Sequence, residues 1–489
     1  MVDPFLHAHN VGPFHFDIGG VISPISIKDQ MVRGQMIVDR AVEVGLIDQR
    51  YHLLVIGAGA AGVTAAIHAS QTRNIPTTLV EMATAPFSRQ RGCTSRWIDP
   101  TQYEWPLNHC YESRYPWDGP PVPLPWSRAF ANILARVWMQ KKLTRLPGLT
   151  VRFNTSVAGH NVIPNGSAVY VQFTSGRPGL YGAIISCIGF GAERCTVNQY
   201  SGFRFWDADD FEKPNLGLPP QEKPTVLISG GGDGALQDFL RIVTREPLQG
   251  AYDKSPRDIY ESLKDFARPL PGNSNDELEV CRNDKRGKEV LLKWAEVENN
   301  LQSAEDQAQR AYIWGNKKDH DCKVQKKLHC AYVAAVDRLY EIWDEGGILN
   351  GIKARLKGWV RRPLPESVHL VYPCDHFSKC YGLNHLLVLL FAKHLEEEGN
   401  KAVHLRPGLE VLNVGPANMA LHICAHKPAQ CYGVDHEVSF RLRTTCNRSP
   451  GRESAREVFN VAIIRHGVNP PPGASIQFPR QIIPYFVSS

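Results

Sequence analysis

Apolar positions change their period several times along the first half of the chain. Residues 1–25 hold no sustained period, whereas Met31, Ile37, Val38, Ala41, Val42 and Val44 recur at helical spacing over 27–47 and predict a helix leading into the first strand. An apolar run over 51–56, a glycine turn over 57–62, an alanine-rich stretch over 63–70 and an apolar run over 77–80 predict a β-α-β unit. Residues 86–125 are crowded with Arg, Trp, Tyr and Pro and lack a period, which predicts a long ordered loop over a site. A helix is expected over 127–142, and strands over 149–155, 168–173 and 183–188, with the turn at Ser175-Gly176-Arg177-Pro178-Gly179 between the last two, close the first domain as a β-meander.

The second half opens in the same way. A Pro-rich link over 219–224 precedes an apolar strand over 225–229, which runs into Gly230-Gly231-Gly232-Asp233-Gly234-Ala235. A uniform β-α-β unit would place its second strand near residue 245, within about 30 residues. Instead 247–365 is charged and helical in pattern, with helices expected over 256–267, 289–312, 323–343 and 349–360. A late strand over 368–372, a helix over 384–398 and strands over 402–405 and 459–464 come after it. The expected fold class is therefore α/β, with two Rossmann-like three-layer nucleotide-binding domains in series and a helical insertion in the second. The expected parse is an N-terminal extension and helix over 1–50, a first domain over 51–218, a second over 219–246 plus 366–489, and the insertion over 247–365.

Composition narrows the classes. With 489 residues, 43% apolar and 21% charged, the chain can fill several cores and is too balanced to be largely disordered. Lys+Arg exceed Asp+Glu by 55 − 49 = 6, too small and scattered a surplus for nucleic-acid binding. No run reaches the roughly 20 apolar residues of a membrane span, and Asp3, His7, His9 and Asp17 precede any hydrophobic run, unlike a secretory signal. A soluble cytoplasmic protein with no nucleic-acid or membrane partner is expected, its twelve cysteines mostly reduced. Neither a Gly-x-Ser-x-Gly elbow nor a Gly-x-x-x-x-Gly-Lys loop occurs, which removes support for hydrolase and ATPase readings.

Gly57-Ala58-Gly59-Ala60-Ala61-Gly62 has the dinucleotide spacing. Glycine suits it because the turn is tight, a pyrophosphate approaches the backbone, and helix packs on strand. Glu81 ends the next strand, 19 residues after Gly62, where a carboxylate can accept ribose hydroxyl protons. If these glycines served only packing, Glu81 would be coincidence. Arg91, Arg96 and Trp97, in the loop Ser88-Arg89-Gln90-Arg91-Gly92-Cys93-Thr94-Ser95-Arg96-Trp97, offer guanidiniums and an indole to a flavin or substrate, against the alternative of a solvated basic loop. With Tyr103, Trp105, Tyr111, Tyr115, Trp117 and Trp126, Trp97 makes this the most aromatic segment, as in a packed lid.

On these motifs the chain resembles the flavoproteins with two dinucleotide-binding domains, the group of thioredoxin reductases, flavin-containing monooxygenases and N-hydroxylating monooxygenases. Gly57 to Gly62 with Glu81 looks like their FAD-binding start, Ile185-Ser186-Cys187-Ile188-Gly189-Phe190-Gly191 is similar to the strand and glycine segment near the flavin, and Gly230 to Ala235 looks like the second, NAD(P)H-binding turn. The resemblance implies FAD first and NADH or NADPH second, with Gly57, Gly59, Ala61, Gly62, Glu81, Arg91, Arg96, Trp97, Val157, Gly189, Gly230, Gly231, Gly232, Asp233 and Gly234 as cofactor-binding residues.

The chain also departs from that group. It has no Cys-x-x-Cys or Cys-x-x-x-x-Cys pair, so disulfide relay is ruled out, and no Phe-x-Gly-x-x-x-His-x-x-x-Trp segment of the Baeyer-Villiger type. His320, Cys322, His329 and Cys330, and separately Cys374, His376 and Cys380, lack paired metal-ligand spacing and are read as packing or surface positions, with no metal. No catalytic side chain is singled out. The expected activity is FAD-dependent oxidation-reduction, with NAD(P)H as donor and oxygen, a small molecule or a protein as acceptor. The rival reading is an FAD-binding scaffold or sensor that recruits a protein partner through 247–365 without turnover.

Overall fold

The computed structural model describes residues 3–18, 26–99, 105–106, 122–125, 128–163, 168–189, 191–198, 200–211, 216, 218, 223–244, 255–267, 277–314, 318–417, 435–442 and 453–469. Its contacts divide the chain into two units, Met1–Pro100 with His109–Ala192 and Val468–Ser489, and Thr101–Asn108 with Glu193–Gly467.

In the first unit, helix α1 (Pro4–His9) and the hairpin β1 (Asn10–Gly12) and β2 (His15–Asp17) precede helix α2 (Ile27–Glu43). Strand β3 (Leu53–Ile56), helix α3 (Ala60–Ile67), β4 (Thr77–Val80), a one-turn helix α4 (Ser88–Gly92), α5 (Ala131–Met139) and β5 (Leu149–Arg152) come next. A meander of β6 (Val157–Val162), β7 (Val169–Phe173) and β8 (Gly179–Tyr181) leads to β9 (Ala183–Ser186). The main sheet has the order β1-β2-β9-β3-β4-β5 and is parallel except at the β1–β2 hairpin. Its central strands are covered on both faces, and Leu53, Leu54, Val55, Ile184 and Ile185 are fully buried, as continuous apolar runs in parallel strands require.

The N-terminal segment therefore does more than lead into the first strand: β2 extends the sheet beside β9. Helix α2 starts at a capping box of Ser26 and Asp29 and packs on α3 across Gly34, where a Cβ would lie 3.2 Å from Ala61 O. His68 Nε2 and Asp39 Oδ1, 2.7 Å apart and both buried, join the same two layers.

In the second unit, β10 (Thr225–Ser229) and α6 (Asp233–Val243) are followed by four helices, α7 (Pro256–Phe266), α8 (Glu277–Trp314), α9 (Lys318–Glu345) and α10 (Leu349–Trp359). Only then come β11 (Ser367–Tyr372), α11 (Gly382–Glu397) and β12 (Val403–Pro407), a meander of β13 (Leu409–Pro416), β14 (His436–Leu442) and β15 (Glu453–Phe459), and β16 (Val461–Ile464). The sheet order β12-β11-β10-β16 is parallel throughout. Trp294 and Trp343 from the long helices share one apolar cluster with Val226 and Ile228 of the sheet and with Leu386 and Phe391 of α11. The inserted helices thus bury their faces against the nucleotide-type fold itself.

Several elements differ from the expectation. The helix expected over 127–142 is confined to Ala131–Met139. Strands β2, β6, β8 and the β13–β15 meander were not indicated by the hydrophobic pattern. Most of the aromatic segment falls outside the described residues, which include Trp97 and Trp105 but not Tyr103, Tyr111, Tyr115, Trp117 or Trp126.

Candidate nucleotide sites

Parallel register aligns Asp17, Ser186, Ile56 and Val80 at the carboxyl edge of the first sheet. One residue further on, Ile18 N donates to Ser186 O, Cys187 N to Ile56 O, Gly57 N to Val80 O and Glu81 N to Arg152 O, at 2.7–3.2 Å. The glycine turn, Glu81 and Cys187 thereby reach the edge where open α/β sheets take ligands.

The glycines of this turn answer to different constraints. At Gly57, with φ +97°, a Cβ would sit 2.6 Å from Cys187 O, and at Gly62 it would sit 1.9 Å from Gly57 O. The chain's own backbone forbids a side chain at both. At Gly59 a Cβ would meet nothing within 4 Å, and Gly59 N-caps α3 without a side-chain hydrogen bond. Nothing in the protein requires glycine there, and an anion on the helix N-terminus would. Ala61 is half-buried in the first turn of α3.

Glu81 is fixed by backbone donors: Oε2 accepts from Ala58 N at 2.7 Å and Oε1 from Ala83 N at 2.8 Å. A carboxylate has about four acceptor positions, so both oxygens keep capacity for hydroxyl donors. Gly189, with φ +80°, also has nothing within 4 Å of its Cβ position, and Ile188 beside it is exposed. Val157 packs on the cluster of Leu54, Val80 and Ile184, close behind Thr155, whose N–H donates to Glu81 O at 3.0 Å.

The arginine loop divides. Phe87 N donates to Ala58 O at 2.9 Å, which ties the start of α4 to the turn and leaves Arg91 exposed on that helix. Arg96 has 0% exposure, hence no surface to offer a ligand, and Trp97 packs edge-on against Phe130 with centroids 4.9 Å apart. Both belong to the packing that leads into α5, where Ala131 N donates to Arg96 O. Asp17 is the edge residue that the sequence pattern did not reveal. It is buried, and together with desolvation its charge pushes the Cys187 thiol up.

In the second unit Arg465 takes the place that Cys187 holds in the first. Its N–H donates to Ser229 O, and its carbonyl lies 2.3 Å from the Cβ position of Gly230, whose φ is +146°. Beyond Gly230 the two turns differ. Gly231 faces Tyr372 Cβ at 3.1 Å, Gly232 faces Ser378 O at 3.4 Å and Lys379 O at 3.9 Å, and Gly234 faces the Phe205 ring at 3.4 Å. Ser378 N donates to Gly231 O at 2.8 Å. Asp233 is turned toward α11: Oδ1 accepts from Asn384 Nδ2 at 2.6 Å and Tyr381 N at 3.2 Å, and Oδ2 from Gln237 Nε2 at 2.7 Å. Burial outweighs these donors and pushes its carboxyl up to about 6.

The two His/Cys clusters converge in part. His329 Nδ1 and His385 Nε2 are 2.8 Å apart, and Cys380 Sγ lies 3.6 Å from His385 Nδ1, so each His385 ring nitrogen has a protein partner. Among the described residues no group of three His, Cys, Asp or Glu could hold a metal ion. Cys322 is disulfide-bonded, whereas among the described residues Cys93, Cys187, Cys195, Cys330 and Cys380 carry free thiols. No described helix is long and apolar enough to cross a membrane.

No family model matches the chain, and no curated protein matches it. Among solved structures it is similar to a bacillithiol disulfide reductase from Staphylococcus aureus, at 10% identity over 86% of this chain and 77% of that one with a TM-score of 0.41. A steroid monooxygenase bound to NADP matches at 14% identity over 86% and 72% with a TM-score of 0.36. A thioredoxin reductase from Lactococcus lactis matches at 10% identity over 86% and 78% with a TM-score of 0.33. Similarity at this distance assigns no activity.

Proposed function

We propose that the chain is an FAD-dependent oxidoreductase whose first unit holds the flavin and whose second takes NADH or NADPH as electron donor, with oxygen, a small molecule or a protein as acceptor. The observation that carries this reading is the open face of Gly59 between two glycines that the backbone itself demands. Amides of Gly59, Ala61 and Gly62 would hold the pyrophosphate, and the backbone-anchored carboxylate of Glu81 would hold the adenosine ribose. Gly189 leaves backbone open beside them. Bound there, FAD would supply the hydride and electron-transfer chemistry. Gly230, Gly231, Gly232 and Gly234 are the nicotinamide-side candidates, and no side chain is assigned as acid or base.

The free thiols among the described residues support a cytoplasmic setting, against which the disulfide at Cys322 counts. The test is an anaerobic titration of purified yellow protein with NADH and NADPH, in which flavin absorbance should bleach. Protein that releases no flavin on denaturation overturns the reading. Flavin that stays oxidised with both nucleotides favours the scaffold role, with the helices of 247–365 as the surface for a protein partner.

A further inference from the structure

We infer that the helical insertion gates the second glycine turn: helix α9 holds the 374–381 segment over the turn, and a nicotinamide nucleotide reaches it only when that hold is released. This rests on the nicotinamide reading of the second unit.

The two turns show what is covered. The Cβ position of Gly59 faces open space, whereas that of Gly232 faces the carbonyl oxygens of Ser378 and Lys379, and that of Gly231 lies 3.8 Å from His376 O. These are acceptor atoms, lying over the glycine face of the turn that opens α6. A phosphate brought onto this face would meet their negative ends and be repelled. The segment is anchored to the turn by Ser378 N on Gly231 O and by Tyr381 N on Asp233 Oδ1.

The hold comes from the α9 residues Gln325, Lys326, His329 and Tyr332. Gln325 Oε1 accepts from Lys379 N at 3.1 Å, and Lys326 pairs with Asp375 at the surface. The His329 ring meets Phe377 edge-on at 5.1 Å and bonds His385 of α11, on which Tyr332 stacks with centroids 4.2 Å apart. Lys379 itself is in the left-handed region, with φ +56°. A residue with a Cβ enters that region at a cost and stays only where its surroundings impose it. One contact that helps impose it is the Gln325 bond to its amide, so the covering carbonyls are held in part by a helix of the insertion. That also gives the position of the insertion a role, since it separates β10 and α6 from β11 in sequence while controlling the turn between them.

Full-length, flavin-loaded protein carrying Gln325→Ala with Lys326→Ala should keep its FAD, exchange the amides of 374–381 faster, and bind NADPH or NADH about tenfold more tightly, as loss from the closed state of the Gln325 hydrogen bond, with the exposed Lys326 pair adding little, predicts. Lys379→Gly relieves the strain and should act in the opposite direction, slowing exchange and weakening nucleotide binding, so a general loss of folding cannot imitate the pair. Unchanged exchange in the double variant overturns the hold by α9. Faster exchange with nucleotide binding equal to that of the unmodified protein overturns the gate alone. Protein that binds neither nucleotide even with the segment released overturns the gate together with the nicotinamide reading.

Discussion

Gly59 and Gly62 stand three residues apart in one turn and are glycine for different reasons. A methyl group at Gly62 would lie 1.9 Å from a carbonyl oxygen of its own turn, so Gly62→Ala should destabilise the first unit by at least the roughly 1–3 kcal/mol typical of overpacking, seen as a lowered Tm. At Gly59 an added Cβ has open space, so Gly59→Val should keep its Tm without added FAD while losing the flavin absorbance. A variant at Gly59 that retains full flavin would show that no pyrophosphate approaches this backbone. Glu81→Gln tests the other contact. Both carboxylate oxygens accept backbone N–H groups, so a side-chain amide must turn its own donors toward Ala58 N or Ala83 N. At about 1–3 kcal/mol for a lost bond to a charged group, FAD affinity should fall about tenfold or more, measured by flavin fluorescence during titration of the apoprotein. These residues were legible because their chemistry is local: a glycine spacing, then an acid at the end of the next strand. Asp17 was not, since its place at the same edge comes from pairing with β9, far along the chain.

At the scale of elements, the inserted helices were readable from apolar spacing, whereas β2 and the meanders were not. A three-residue strand such as His15–Asp17 is too short to show alternation, and β6 is half-exposed and carries a register shift between Val157 and Gly159 that breaks its period. Spacing also does not disclose what two helices bury between them. Glu305 of α8 accepts from Tyr332 Oη of α9 at 2.8 Å, and burial, with a smaller contribution from Asp306, pushes its carboxyl up to about 7. Because the folded value lies above the unfolded one of 4.5, the helix pair has its full stability below that pH and loses it as pH rises through about 7. Asp233 acts with the same sign toward about 6, while His329, lowered to about 4, opposes it by losing stability as pH falls. A difference measurement isolates Glu305. Gln stays neutral, so the Tm of Glu305→Gln relative to the unmodified chain should rise from about pH 5 to about pH 8. A difference independent of pH would mean that Glu305 does not titrate in this range.

For the whole molecule, the two units repeat one device with opposite outcomes. In each, the carbonyl that leaves the neighbouring strand, Cys187 O or Arg465 O, abuts the first glycine of the turn and forces it to remain glycine. The helix-capping glycine, Gly59, is open in one unit and its counterpart, Gly232, is covered in the other, and that cover comes from residues that the sequence places more than a hundred positions after the turn. That separation is why the glycine spacing was legible from the chain while the accessibility of the two turns was not. It also makes ligand response a property of each unit. A ligand that binds only the folded state stabilises it by RT ln(1 + [L]/Kd), about 2.7 kcal/mol at a hundredfold excess over Kd, and a site within one unit gives that protection to that unit. Adding FAD to apoprotein should therefore slow hydrogen exchange over residues 57–63, 81–83 and 187–189 and leave 230–236 unchanged, while NADPH added afterwards should slow 230–236. Protection of 230–236 by FAD alone would place the flavin in the second unit, on the turn whose glycines the protein already covers, and the open face of Gly59 would then have no ligand to explain it.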